Sequence, residues 1–143
     1  MANVFDVAAY ILSKTGEITT MKLQKLVYYA QAWSLVWDEE PLFPEKIEAW
    51  CNGPVVRDLY NYHKGFFKIA SVGNRGKIEN LSKDNIDTIN AVLEHYQEFT
   101  SQQLSDLTHQ EKPWKETREG LTDDVLTDRE ITHASMAEYY SSL

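Results

Sequence analysis

The segment from residue 21 to residue 37 has the densest pattern of apolar positions in the chain. One set of apolar residues recurs at steps of three and four, which predicts an α-helix with an apolar stripe. Further apolar residues lie on most of the other sides of this helix. Thr19 or Thr20 can cap the start of this helix. We expect it to be the buried centre of the fold. Lys22, Gln24 and Lys25 point away from the apolar stripe, as a polar rim or, alternatively, as a strip that contacts a partner. That stripe comprises Leu23, Leu26, Val27, Ala30, Trp33 and Trp37.

Five further helices are predicted from capping residues and apolar periodicity. The first runs to about residue 14, and the one that follows Ser82 runs to about residue 96. Two capping boxes, Thr100 with Gln103 and Thr127 with Glu130, predict a short helix and the final helix. The predicted starts are Asn3, Ser82, Thr100, Pro113 and Thr127.

Between residues 38 and 81 the pattern changes. Apolar and polar side chains alternate over residues 47–50, which predicts a short strand. Asn52-Gly53-Pro54 predicts a sharp turn after it. Pro54 suits the first turn of a new helix over about 55–64. Residues 66–81 fit either a hairpin or an ordered loop. The expected fold is mainly α with a small β element, a compact single domain over 1–143 with five to seven helices around a central buried helix.

Composition narrows the classes of function. The net charge is −8, which disfavours nucleic acid as a partner and suits either solubility or a basic protein partner. Because Cys51 is the single cysteine, an internal disulfide and a cysteine-based zinc site are excluded. We expect its side chain to be buried as a small apolar group. The longest apolar-rich run is too short to cross a membrane. We therefore expect a cytoplasmic protein with no membrane partner.

No combination of residues predicts catalysis. The four histidines, His63, His95, His109 and His133, lack the spacing of a metal site, and no glycine-rich phosphate-binding pattern occurs. The acidic pair at 123–124 falls in a predicted loop. We predict no catalytic residue, cofactor or metal; the least favoured alternative is an enzyme that uses His63, His109 and nearby carboxylates.

Two segments go beyond a generic helical pattern. The first reads KLQKLVYYAQAW from residue 22, followed by PLF, IEAW and NGPVV; the second reads LSDLTHQEKPW from residue 104. In order and spacing they resemble the Panacea domain, also described as the SocA-like or GepA-type phage-associated protein family. The resemblance covers residues 5 to about 118. Its motif residues are Lys22, Gln24, Lys25, Tyr28, Trp33, Trp50, Gly53, Pro54, Tyr60, His109, Pro113 and Trp114.

The resemblance implies an antitoxin of a bacterial or prophage toxin–antitoxin system. Its partner would be a toxin protein encoded by a neighbouring gene and neutralised by direct binding. The family also implies an alternative, an adaptor that delivers a partner to an ATP-dependent protease. The aromatic content, 12% of the chain, is compatible with a homodimer as well.

The motif residues also have an architectural interpretation. Gly53 and Pro54 suit the corner after the strand, and Trp50 and Trp114 suit packing anchors. The His109 ring is placed to bond backbone groups at the following helix start. We therefore expect the motif to be mainly scaffold, with the partner surface on residues outside it.

Overall fold

The computed structural model describes residues 2–143 and is mainly α, as predicted. Two short 3-10 turns, Gly73–Arg75 and Ile78–Asn80, complete the helical elements. The α-helices are α1 Val4–Thr15, α2 Thr20–Trp37, α3 Arg57–His63, α4 Lys83–Tyr96, α5 Ser101–Gln110, α6 Lys112–Thr117 and α7 His133–Ser141. The strands are β1 Ile18–Thr19, β2 Ile47–Trp50, β3 Gly53–Val56 and β4 Lys68–Ile69.

Helix α2 is the centre of the fold. Every residue from 23 to 32 is buried, and the helix packs against α1, α4, α5, α7 and β3. A helix enclosed in this way must bury its polar residues too, which explains why the predicted polar rim does not exist at Gln24 and Lys25. The apolar stripe also ends earlier than expected, because Trp37 is 50% exposed.

Local capping set most helix starts. Asn3, Ser82 and Thr100 each form a capping box, and the Thr19 side chain accepts from the backbone N–H of Lys22. These agree with the predicted starts. Pro113 lies in the first turn of α6, also as expected.

The capping box predicted at Thr127 and Glu130 is wrong. Helix α7 begins at His133, and its cap is Thr132, which accepts from the N–H of Ser135. The preceding segment is extended because β2 holds it through backbone hydrogen bonds from Ala49 N to the Arg129 carbonyl and from Ile131 N to the Ile47 carbonyl. A chain paired in this way cannot form a helical turn.

The prediction that Pro54 begins a helix is also wrong. Pro54 lies in β3, opposite Ala49 of β2, and α3 begins only at Arg57. Strand β3 lies at the edge of its sheet, where a residue without an N–H is tolerated. The β2–β3 hairpin covers one side of α2.

Of the two alternatives for residues 66–81, the structure shows an ordered, mostly irregular loop and not a hairpin. Lys68–Ile69 pairs with Ile18–Thr19 as a short antiparallel ladder, and the two 3-10 turns follow. The segment is therefore tied to the start of α2. Of the helices within residues 2–143, none combines the length and the apolar character needed to span a membrane.

Candidate functional site

Lys25 is buried at the interface between α2 and the β2–β3 hairpin. Its side chain is among the largest fully buried ones, with 1% of the residue exposed. No hydrogen bond or ion pair joins its ammonium to any residue from 2 to 143. Burial without a compensating anion lowers the pKa of Lys25 to about 7. The position is therefore unfavourable for a charged side chain unless a ligand supplies the missing partner.

Lys25 forms part of the wall of a cavity of about 240 Å³. Helix α2 supplies one side, the β2–β3 hairpin the opposite side, and α3 and the loop before α7 the rest. No carboxylate occurs among the described residues of the wall. These are Thr20, Met21, Gln24, Lys25, Trp50, Cys51, Asn52, Val55, Tyr60, His63 and Leu126.

Gly53 provides the space through which the Lys25 side chain passes. The backbone of Gly53 has a φ of +119°, a conformation that other residues rarely adopt. A Cβ at this position would lie 2.5 Å from Lys25 Cε and 3.0 Å from Thr108 Oγ1. A residue with a Cβ would therefore strain the hairpin corner and force the Lys25 side chain to shift.

Gln24 joins the central helix to β3 through both ends of its amide. Its Oε1 accepts from the backbone N–H of Val56 at 2.9 Å, and its Nε2 donates to the Val56 carbonyl at 3.3 Å. The same Nε2 lies 3.0 Å from Nε2 of His63. Because Val56 sets the orientation of the amide, the His63 nitrogen must be the acceptor and is unprotonated. Burial lowers the pKa of His63, and the charge on Lys25 lowers it further.

His109 is not among the wall residues of the cavity, and its ring stacks on Trp114 with centroids 4.0 Å apart and planes at 12°. Its Nε2 is buried and finds no hydrogen-bond partner among residues 2–143, so the expected bond to the following helix start does not form. Burial lowers the pKa of His109; Asp123 raises it in part and Lys25 lowers it. The ring serves as a packing surface.

The two motif tryptophans are linked. Trp114 is buried, and its Nε1 donates to the Trp50 carbonyl at 2.8 Å. The Trp50 ring meets Tyr60 edge to face and lies under the guanidinium of Arg57. Trp50 and Tyr60 both line the cavity, so this contact shapes its wall.

The motif residues do not form one site. Gln24, Lys25, Trp50 and Tyr60 line the cavity, and Gly53 lies against Lys25. Pro54 and Pro113 are structural positions of β3 and α6. The remaining motif residues of α2 face elsewhere: the Lys22 ammonium donates to the Gln97 carbonyl at 2.6 Å, Trp33 Nε1 donates to the Tyr96 hydroxyl, and Tyr28 bonds Tyr140.

Sequence reasoning missed a buried polar cluster around Glu111. Its Oε1 accepts from the hydroxyls of Tyr29 and Tyr140, both at 2.7 Å, and Tyr28 lies 3.0 Å from Tyr140 through their hydroxyls. Burial raises the pKa of Glu111, and the two tyrosine bonds lower it in part. No local pattern pairs residues 29, 111 and 140, because α2, the α5–α6 junction and α7 meet only in the folded chain.

The cavity opens on a surface with large exposed apolar side chains. Leu126, on its wall, is 87% exposed, and Phe66 and Phe67 are 68% and 75% exposed. Phe66 and Phe67 are held beside the cavity because their carbonyls accept from the hydroxyl and the N–H of Thr20, another wall residue. We call the surface formed by Thr20, Phe66, Phe67, Leu126 and the cavity mouth the cavity face.

Two further depressions each have at least one wall residue in common with the cavity. One, of about 380 Å³, is lined by His63 and Phe66 among others. The other, of about 460 Å³, is lined by Trp50, Cys51, Arg57 and Leu126 among others. We call the cavity and these two depressions together the groove.

The groove carries few groups suited to catalysis. Cys51 is half-buried instead of fully buried, and its thiol lies 3.4 Å from the Val125 carbonyl. Within residues 2–143, no group of three or more histidine, cysteine or acidic side chains is placed to hold a metal ion. What the arrangement offers is recognition: apolar walls, exposed apolar side chains beside them, and the unpaired ammonium of Lys25.

Comparison with known proteins places part of the chain in a described family. The model of the family described as antitoxin SocA-like, Panacea domain, matches residues 23–115. The matched range contains α2 from Leu23 onward, the β2–β3 hairpin and α5, and hence Lys25, Gly53 and His109. Neither the curated proteins nor the solved structures include a match to the chain. The match spans well over half of the sequence, and the chain belongs to the antitoxin SocA-like, Panacea domain family.

Proposed function

We propose that this protein is an antitoxin that neutralises a partner toxin by direct protein–protein binding. The toxin is encoded by a neighbouring gene of the same bacterial or prophage toxin–antitoxin system, and the complex forms in the cytoplasm. The family supports the class of function. The observation that carries the mode of action is the cavity face, where Leu126 on the cavity wall and the neighbouring Phe66 and Phe67 expose their side chains.

The cavity face has the composition of a protein-binding surface. Large apolar and aromatic side chains supply most of the binding energy in stable interfaces, and clusters of them on a surface mark interaction sites. A standard interface covers roughly 800 Å² of each partner. That area is a small fraction of the 7598 Å² accessible surface of this protein, so one face is sufficient.

Co-expression with the product of the adjacent open reading frame tests the proposal. We expect the wild-type protein to restore growth in cells that express the toxin and to co-purify with it. The triple variant F66S/F67S/L126S should lose both properties while keeping its thermal unfolding temperature. L143S is the matched control, because Leu143 is 71% exposed and lies at the end of the chain, away from the cavity wall.

Two results would count against the proposal. Failure of the wild-type pair to form a complex or restore growth would reject the antitoxin role. Equal binding by the wild-type and triple-variant proteins would reject the cavity face as the surface. A toxin half-life that lengthens when this gene is deleted would instead support the adaptor function.

A further inference from the structure

We infer that the cavity at Lys25 is a carboxylate-binding site, occupied by an acidic side chain of the partner protein. That the carboxylate belongs to the toxin rests on the proposed function. The existence of a carboxylate site does not, because it follows from the cavity itself.

The first observation is the unsatisfied ammonium. Lysine is almost never fully buried unless it is paired, and a buried lone charge is strongly unfavourable. Lys25 is 1% exposed and forms no ion pair with any described residue. The Gln24 amide beside Lys25 already bonds the β3 backbone and His63, so it is not free to accept from the ammonium. The Asn52 amide and the Tyr60 hydroxyl lie on the same wall, so a carboxylate in the cavity would meet the ammonium together with further polar groups.

The second observation concerns the shape and chemistry of the cavity. Its volume of about 240 Å³ suits a short side chain, and Met21, Trp50 and Val55 give it apolar walls for a methylene stem. An acidic side chain has this combination of an apolar stem and a terminal anion. A carboxylate would meet Lys25 without displacing an existing ion pair.

A single unpaired cation favours a carboxylate over a phosphate. Phosphate sites usually combine several donors, such as arginine forks or backbone N–H groups at a helix start. The nearest guanidinium on the groove, that of Arg57, is already bound to Glu48 at 2.8 Å and lies over the Trp50 ring. One ammonium matches the single charge of a carboxylate.

The exposed apolar side chains next to the cavity favour a protein as the source of the carboxylate. A free small acid would fill the cavity and leave exposed both Leu126, on its wall, and Phe66 and Phe67, whose carbonyls bond the wall residue Thr20. A protein segment that inserts an acidic side chain would cover these residues at the same time. Burying the salt bridge inside such an interface also protects it from competing water and salt.

The carboxylate site is testable without the toxin. Protein labelled with ¹³C at lysine Cε is titrated with phenylacetate and, separately, with the uncharged analogue phenylacetamide. We expect phenylacetate to shift the Lys25 signal in a saturable manner and phenylacetamide to leave it unchanged. The Lys22 signal serves as the internal control, because its ammonium already donates to the Gln97 carbonyl. Equal shifts with both compounds, or none with either, would overturn the inference.

The partner's contribution is tested with K25M and the matched variant K22M. If the toxin carboxylate pairs with Lys25, K25M should weaken toxin binding about tenfold or more, and K22M should not. Each acidic residue of the toxin is then replaced with alanine. One of these replacements should weaken binding to the wild-type protein as much as K25M does, and should cause no further weakening when the protein already carries K25M. Full toxin binding by folded K25M, or the absence of any such acidic residue, would overturn the inference.

These experiments separate the two proposals. If the wild-type protein does not bind the toxin, the proposed function fails, while the phenylacetate titration still decides whether the site exists. If the wild-type protein binds the toxin and K25M binds it equally well, only the carboxylate inference fails.

Discussion

The side chain of Lys25 packs directly against the backbone of Gly53: a Cβ on residue 53 would lie 2.5 Å from Lys25 Cε. This contact explains two motif residues at once. The glycine forms the corner of the β2–β3 hairpin at a φ of +119°, and it also lets the lysine pass beneath the hairpin to the cavity wall.

Replacing Gly53 with alanine should therefore destabilise the protein by about 1–3 kcal/mol, from backbone strain and overpacking together. Urea unfolding measures the change. The matched control is G16A, because Gly16 has a φ of +72° but a Cβ added there would meet no atom within 4 Å, so only the backbone penalty applies. In a K25A background the penalty of G53A should shrink, and an unchanged penalty would contradict the steric contact.

Replacing Lys25 with methionine should stabilise the isolated protein at pH 7, by about 1–4 kcal/mol, because it removes a buried charge without a partner. The pKa of Lys25 is about 7 in the folded protein and 10.5 in a free side chain. Between these values the unfolded chain binds more protons, so wild-type stability should rise with pH from about 7 to 10.5.

Below pH 7 both states are protonated and the penalty is complete. Comparing the free energy of unfolding of wild type and K25M across pH 6–10.5 isolates this contribution, with the difference expected to narrow as pH rises. A K25M protein that is less stable than wild type at pH 7 would show that the ammonium has a stabilising partner.

Acidification should weaken the contact between Gln24 and His63. Burial lowers the pKa of His63 below its usual 6.5, so the unfolded chain takes up a proton first as the pH falls. The stability contributed by the neutral imidazole is complete above about pH 6.5 and decreases below it. NMR titration of the His63 ring should give a midpoint below 6.5; a midpoint above that value would contradict the assigned acceptor role.

Gln31 should contribute more to stability than an ordinary polar residue. Its Oε1 accepts from the backbone N–H groups of Leu42 and Phe43, and its Nε2 donates to the Phe43 carbonyl at 2.9 Å. Q31L leaves these buried groups without a partner, at an expected loss of about 2–4 kcal/mol. Q102L is the control: Gln102 is exposed and bonds only Asp106, so its loss should stay within about 0.5 kcal/mol in the same unfolding assay.

Glu111 should matter as an acceptor more than as a charge. E111Q keeps an oxygen for the hydroxyls of Tyr29 and Tyr140, whereas E111A leaves both hydroxyls buried without an acceptor. We expect E111A to be less stable than E111Q by about 2–4 kcal/mol in thermal or urea unfolding. Equal stability of the two variants would show that water or another group replaces the carboxylate.

Helices were the most predictable part of the fold. The starts of α1, α2, α4 and α5 follow from Asn3, Thr19, Ser82 and Thr100, since a cap acts on N–H groups only two or three residues away. The two errors have one cause. At Pro54 and at Thr127–Glu130, backbone pairing with β2 outweighed a helix signal that was valid locally.

The cavity could be predicted only in part. The motif singled out Lys25, Gln24, Trp50 and Tyr60, but its periodicity placed Lys25 on a polar rim, because a helical pattern does not show what covers each face. His63 and Leu126 carried no signal as wall residues, and Leu126 lies beyond residues 23–115.

By itself, the sequence determined the helical class, most helix starts, the central position of α2 and the family resemblance, because these depend on caps, periodicity and motif order along the chain. Only the tertiary structure decided that the β2–β3 hairpin lies over Lys25, that Glu111 meets Tyr29 and Tyr140, and that Phe66 and Phe67 bond a wall residue of the cavity. Those relationships join residues that are far apart in the chain. The burial that leaves Lys25 without a partner for its charge arises only when the elements pack together.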